Sequence, residues 1–275
     1  MRYKLAAIDL DETVLAFDGT ISERNRRAIR ALQEAGVLPV IASGRMHQAT
    51  TRFADMLGLV GPIISYNGAM IRVHPSNETW HHVTIPPEPA TEVIRFCTRH
   101  GYHLNYYLND HLYVAERGPW ALFYLRHTGS PMEVTGDLTQ FEGTSPTKMI
   151  VIDTPETADR LYQEMRQRFG DQMYLTRTNP EYLEFMHPSA NKGNALAILA
   201  GHLGIERSEV LAFGDGSNDL PMIRWAGFSV AMGSAKEAVR QAASYVAPNF
   251  EDDGFAVAVE GILTGRIGNG DCHAV

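Results

Sequence analysis

Asp9 and Asp11 stand two residues apart, just after the short apolar run Lys4 to Ile8. Residues i and i+2 of an extended segment point the same way and lie ~7 Å apart. Both carboxylates would therefore face one spot. Two carboxylates in different surroundings can divide labour, one as nucleophile or ligand and the other as acid/base. Two solvated acids in a strand-to-loop turn would leave the same trace. A second acidic stretch, Gly214-Asp215-Gly216-Ser217-Asn218-Asp219, follows another apolar run, Val210 to Phe213. Hard oxygen ligands at such a point suit Mg²⁺, which takes few carboxylates and keeps waters or phosphate oxygens. A plain Gly/Asp/Asn turn fits the composition as well. The Gly-x-Gly here lacks the third glycine of a dinucleotide fingerprint.

Two further signals stand at helix starts. Ser43-Gly44-Arg45 follows the run Ile41-Ala42 and precedes a helical pattern. A hydroxyl and backbone N–H groups at a helix N-terminus make an anion site, although an ordinary N-cap looks alike. Asn191-Lys192-Gly193 opens another helical pattern. A lysine there can pair with phosphate or hold a carboxylate ionised, where a surface lysine would do neither. No Walker A sequence is present, which excludes a P-loop kinase.

The elements that must position these residues alternate. Lys4–Ile8, Val37–Ala42 and Pro62–Ser65 read as strands, and Glu23–Ala35 and His47–Leu57 as helices, the first with Ala28, Ile29, Leu32 and Ala35 at helical spacing. Ser22 is its N-cap and Gly36 its stop. The Pro-rich stretch Thr84–Pro89 breaks the pattern. Beyond it come a helix at Ala90–His100, a hairpin of His103–Leu108 and His111–Ala115 turning at Asn109-Asp110, a strand at Lys148–Ile152, a helix at Glu156–Phe169, and a second hairpin of Met173–Arg177 and Tyr182–His187. After Pro188 the alternation resumes: helix Gly193–Leu203, strand Val210–Phe213, helix Asp219–Trp225, strand Phe228–Ala231, a helix from Ala235 and a last strand at Tyr245-Val246. Strand–helix alternation with short links predicts βαβ units. The fold class expected is α/β: a doubly wound, Rossmann-like parallel-sheet core from residues 1–82 and 188–275, with an α+β domain, 83–187, inserted as a cap.

Composition excludes other classes. With 44% hydrophobic residues the 275-residue chain is not a disordered one. Net charge is −8, from 24 Lys+Arg against 32 Asp+Glu. An acidic chain without a basic block is a poor candidate for nucleic acid or an anionic membrane surface. No window approaches the ~20 apolar residues of a membrane helix, and Met1-Arg2-Tyr3-Lys4 is no secretory leader. Cys97 and Cys272 make no CxxC pair, and are read as reduced thiols of a cytoplasmic protein, a monomer or small homo-oligomer.

In this order, Asp9-Leu10-Asp11-x-Thr13, Ser43-Gly44-Arg45, Lys192-Gly193 and Gly214-Asp215-x-x-Asn218-Asp219 resemble the four motifs of the haloacid dehalogenase superfamily. Tyr66-Asn67-Gly68-Ala69, the stretch from Ala226-Gly227 through Val230 to Ala235, and Glu251-Asp252-Asp253-Gly254 resemble its Cof-type sugar-phosphatase branch, and the insert resembles a C2-type cap. The resemblance implies that Asp9 is a nucleophile forming an aspartyl-phosphate and that Asp11 is the general acid/base. It implies Mg²⁺ held by Asp9, Asp215 and the Asp11 carbonyl. Phosphate would be bound by the Leu10 backbone, Ser43, Gly44, Lys192 and Asn218. Lys192 would neutralise charge and Asp219 would support the site from behind. Glu12 departs from the glycine more usual there, and is expected to face solvent.

The activity implied is Mg²⁺-dependent hydrolysis of a small phosphorylated metabolite, a sugar phosphate for preference, with flavin and pyridoxal phosphates also open. A phosphomutase and a non-catalytic phosphometabolite-binding protein are the alternatives. Asp11 argues against a true dehalogenase. The cap is expected to choose the substrate at a site between the domains, with Asn105, Tyr106, Tyr107 and Asn109 as candidate contacts or as ordinary strand packing. His81-His82 are expected to be surface residues near the hinge, because neighbours on a strand point apart.

Overall fold

The computed structural model describes residues 2–16 and 18–268; Cys272 lies outside them. The first stretch contains β1 (Leu5–Ile8), α1 (Glu23–Glu34), β2 (Leu38–Ile41), α2 (His47–Leu57), β3 (Gly61–Ser65), β4 (Met70–His74) and β5 (Thr79–His82). Next come α3 (Pro87–His100), β6 (His103–Leu108), β7 (His111–Val114), α4 (Pro119–Thr128), β8 (Glu133–Val134), β9 (Lys148–Ile152), α5 (Pro155–Phe169), β10 (Tyr174–Thr176) and β11 (Tyr182–Met186). The chain closes with α6 (Lys192–Leu203), β12 (Val210–Gly214), α7 (Leu220–Trp225), β13 (Phe228–Ala231), α8 (Glu237–Ala242), β14 (Tyr245–Val246) and α9 (Gly254–Leu263). These fold as two units: Met1–Gly44, Thr50–His81 and Asn191–Val275 make one, Arg45–Ala49 and His82–Ala190 the other.

The first unit is built on a parallel sheet of order β14-β13-β12-β1-β2. β1 and β12 are buried along their whole length, as unbroken apolar runs in a doubly covered sheet must be. Alternate residues feed opposite layers. Ala6, Ile8, Leu211 and Phe213 pack with Ile29 and Leu32 of α1 and Phe255 and Val259 of α9. Leu5, Ala7, Val210 and Ala212 pack with Leu196 and Leu199 of α6, Ile223 of α7 and Val239 of α8. The fold is therefore a doubly wound α/β core. Two caps fix the helix starts. The Ser22 hydroxyl accepts the Asn25 N–H at 3.0 Å, and the Asn191 side chain accepts the Asn194 N–H at 2.8 Å, which places Lys192 in the first turn of α6. Strands β3, β4 and β5 make a separate three-stranded sheet tied to β2 through the Ala42–Ile64 bridge.

The second unit carries a six-stranded sheet, β10-β11-β9-β6-β7-β8, largely antiparallel. One face packs Leu104, Tyr106, Met149, Leu183 and Phe185 against Ile94 and Cys97 of α3 and Leu161 and Met165 of α5. Tyr106 is thus a core residue. The paired register puts Asn105, Tyr107, Lys148 and Glu184 on the other face. Lys148 and Glu184 form a buried ion pair there, and Tyr107 donates its hydroxyl to that of Tyr124 at 2.6 Å. Asn109 and Asp110 both take positive φ, +53° and +62°, the requirement of a two-residue type I′ hairpin turn.

The sequence pattern missed some elements. β4 was not expected; His81 and His82, read as strand neighbours, end β5, and His82 is exposed with its Nε2 2.8 Å from the Thr147 hydroxyl. The Pro-rich break starts α3, because Pro87 sits at its first position, where the missing N–H costs nothing. α4 is aromatic-rich without a clear apolar stripe, and α9 is apolar apart from the exposed Glu260, so neither shows strong helical periodicity.

Candidate active site

Strand β1 lies between β2 and β12, so the chain leaves it in both directions across the sheet. That is a topological switch point, where ligands of open α/β sheets bind beyond the strand carboxyl ends. Asp9 follows β1 and continues its ladder, its N–H donating to the Phe213 carbonyl at 3.0 Å. Asp215 follows β12 next door, and Ser43 follows β2 on the other side. The first turn of α6 brings Lys192 to the same place.

Lys192 is fully buried and donates to Asp9 Oδ1 and Asp219 Oδ1, both at 2.5 Å. Asp219 spends its other oxygen on the 215–219 turn, accepting from the N–H groups of Asp215 at 3.0 Å and Gly216 at 2.9 Å. Gly214 makes this possible: a Cβ there would stand 2.6 Å from the Asp219 carboxylate carbon. Thr13 donates its hydroxyl to Asp215 Oδ1 at 3.4 Å. Leu10 is buried, and its carbonyl accepts from the amides of Thr13, Val14 and Leu15, which curls the loop that carries Asp11. Asp11 itself is exposed.

Electrostatics here are dominated by desolvated acid. Burial raises Asp9 well above the usual carboxylate range; Asp219, Asp215 and Asp11 push the same way and Lys192 opposes them. Burial, then Asp219 and Glu12, push Asp215 up to about 7, with Lys192 opposing. Burial works against the charge on Lys192, but Asp219 and Asp9 outweigh it and hold the ammonium above an ordinary lysine. Oxygens of Asp9, Asp215 and Asp219 lie within 4.8 Å of one another. Both Asp219 oxygens are already bonded, so Asp9 and Asp215 are the pair with capacity left for an ion. An all-oxygen donor set with more acid than base has the chemistry of a Mg²⁺ site.

Ser43 is fully buried, its N–H bonded to the Ile64 carbonyl and its own carbonyl accepting from Asn67 N–H. Gly44 runs so close to Asn67 that a Cβ would meet Oδ1 at 2.8 Å. The same Oδ1 accepts from Asn218 Nδ2 at 2.9 Å. Asn67 therefore links Ser43-Gly44 to Asn218, a joining role its position in the sequence did not announce. The available signal was an Asn-Gly pair directly after a buried strand; the backbone at Asn67 is left-handed, φ +54°, which asparagine tolerates. Glu12 corrects an expectation. It is half-buried rather than solvent-facing, because the loop closes over it, its N–H donating to the Leu15 carbonyl at 3.1 Å. Of the proposed insert contacts, Asn105, Tyr106 and Tyr107 are buried within the second unit.

Comparison with known proteins gives the family and the fold. A model of a haloacid dehalogenase-like hydrolase family matches residues 6–259. The crystal structure of TM0651 from Thermotoga maritima superposes with a TM-score of 0.85 at 32% identity, covering 94% of this chain and 97% of that one. The sugar phosphatase BT4131, of HAD subclass IIB, superposes with a TM-score of 0.82 at 25% identity, covering 94% and 98%. A Bacillus subtilis relative, the 5-amino-6-(5-phospho-D-ribitylamino)uracil phosphatase YitU, is 27% identical, covering 92% of this chain and 94% of its own.

Proposed function

The chain belongs to the haloacid dehalogenase-like hydrolases, and from that premise we propose a Mg²⁺-dependent phosphomonoesterase that hydrolyses a sugar phosphate or similar polyol phosphate through an aspartyl-phosphate on Asp9. The observation that carries this reading is the buried Asp9–Lys192–Asp219 array beside Asp215, at the switch point of the sheet. Bound by Asp9, Asp215 and the Asp11 carbonyl, Mg²⁺ would supply charge neutralisation for an incoming phosphate dianion.

The chain's own residues do the rest. Asp9 attacks phosphorus as a carboxylate, and burial alone would keep it protonated. Lys192, 2.5 Å away, holds the negative charge in place. Covalent catalysis splits one hard displacement into two easier ones. Asp11 gives a proton to the leaving alkoxide, then takes one from the water that opens the acyl phosphate. The Leu10 backbone, Ser43, Gly44 and Asn218 hold the phosphoryl oxygens, and Asp219 fixes Lys192 and the 215–219 turn. The core, residues 1–82 and 188–275, performs the chemistry. The insert, 83–187, selects the leaving group.

A sugar or polyol ester is favoured because the relatives named above act on a sugar phosphate and a phosphoribitylamino compound. We place the protein in the cytoplasm, acting on soluble metabolites; no helix among the described residues is long and apolar enough to cross a membrane. Phosphate release from a panel of phosphorylated metabolites, with Mg²⁺ and with chelator, tests the reading. Metal-dependent release is expected. An isomerised sugar phosphate without free phosphate would make it a mutase, and binding without turnover a non-catalytic module.

A further inference from the structure

The second unit carries a cavity of about 310 Å³ at one end of its sheet, where β6 begins and β7 and β9 end. Every residue that lines it belongs to that unit. The volume stands at the lower end of the range for small-molecule sites, roughly 300–1,000 Å³. The floor is apolar: Ile94 and Cys97 of α3 with Leu104 and Leu138, all buried. Burial pushes the Cys97 thiol up to about 12, so it stays protonated and counts with the hydrocarbon.

The polar part of the lining is one-sided in its chemistry. It holds three carboxylates, Glu116, Asp137 and Asp153, and neither lysine nor arginine. Asp137 is fixed by the Thr139 N–H and hydroxyl, which donate to it at 2.8 and 2.6 Å. Glu116 lies over the start of α4, because a Cβ at Gly118, itself in the lining, would stand 2.9 Å from its Oε1. His103 adds an acceptor. Its Nε2 lies 2.8 Å from the amide oxygen of Asn105, which only accepts, so Nε2 carries the ring hydrogen. Burial lowers the pKa of the ring and keeps it neutral, which leaves Nδ1 to accept. Trp120, half-buried in the first turn of α4, adds an aromatic face, braced edge-on by Phe123 at 5.7 Å. Two helix ends border the cavity, the C-terminus of α3 at Gly101 and the N-terminus of α4 at Pro119. Their dipoles oppose, so the side chains decide the sign. Acceptors, negative charge and an indole face select a group that donates hydrogen bonds and is positively charged.

We propose that this cavity binds an organic amine, its ammonium on the carboxylate side and its aryl or alkyl body on the apolar floor beside Trp120. The site needs neither the metal nor the phosphate chemistry at Asp9, so it stands or falls independently of the proposed function.

The test is titration of the ¹⁵N-labelled full chain with phenethylammonium chloride, followed through the amide shifts of Gly101, Gly118 and Gly136, which line the cavity. 2-Phenylethanol and 3-phenylpropionate are the neutral and anionic controls. Saturable shifts at these amides are expected with the amine, and binding about tenfold weaker for either control. Glu116→Gln, at an exposed position, is expected to weaken the amine about fourfold, the effect of one opposite charge about 5 Å away in a water-like medium. Trp120→Leu is expected to weaken it about threefold, the loss of a partly solvated cation–π contact. Alcohol that binds as tightly as the amine overturns the proposal. An amine that shifts none of the cavity amides, or whose affinity is unchanged in both variants, overturns it as well.

Discussion

Replacing Lys192 by methionine tests how the site balances its buried charge. Methionine preserves length and packing and removes only the ammonium. Lys192 is fully buried and lies 2.5 Å from an oxygen of Asp9 and of Asp219, which are themselves 5% and 0% exposed. Removing one partner of such an array leaves uncompensated carboxylates in a dry site, at a cost of about 3–5 kcal/mol. At roughly 2–4 °C per kcal/mol for a unit of this size, the melting temperature at pH 8 in chelator should fall by about 10 °C. Without the lysine Asp9, already raised by burial, titrates higher still. A group whose folded pKa lies above its unfolded value of about 4 contributes stability at low pH and loses it as pH rises through the folded pKa. The deficit should therefore shrink as pH falls from 8 toward 5. Melting curves of both proteins at several pH values measure it. A loss below about 3 °C at pH 8, or one that does not change with pH, would refute the reasoning.

Wild-type protein in chelator should itself melt higher at pH 5.5 than at pH 8, because burial raises Asp9 and pushes Asp215 up to about 7; saturating Mg²⁺ should flatten that dependence. Gly214→Ala should cut kcat/KM at least tenfold while the fold survives, since the new Cβ, 2.6 Å from the Asp219 carboxylate carbon, displaces the group that holds Lys192. Asn67→Ala should lower kcat/KM by about tenfold, one lost buried hydrogen bond plus strain at φ +54°, whereas Asn67→Asp, which keeps the acceptor, should retain most of the activity; steady-state kinetics on the best substrate of the panel read both.

Much of this was legible because the chemistry sits at the ends of simple patterns. β1 and β12 are apolar runs that stop at an acid, and a doubly covered sheet forces that pattern. The start of α6 was legible through Asn191, a residue type favoured at helix N-caps. What stayed hidden depends on tertiary closure. Nothing local says that the Leu10 carbonyl gathers three amides and leaves Glu12 left-handed and half-buried. The bridge from Asn67 to Asn218 spans 151 residues of chain and exists only once β3 has docked beside β2. α9 shows little periodicity because its outward stripe, at Val257 and Glu260, carries one charge beside an apolar residue.

The central claim is that Asp9 is phosphorylated during turnover. Acid-quenching the enzyme in mid-reaction with a ³²P-labelled substrate, then mapping the labelled peptide under acid conditions that preserve the acyl phosphate, tests it directly. Label on the peptide carrying Asp9, and its absence in Asp9→Asn together with a loss of turnover of a thousandfold or more (about the scale of losing a nucleophile), is the predicted result. Turnover that continues in Asp9→Asn, or a wild-type enzyme that turns over with label on another residue, would contradict the account.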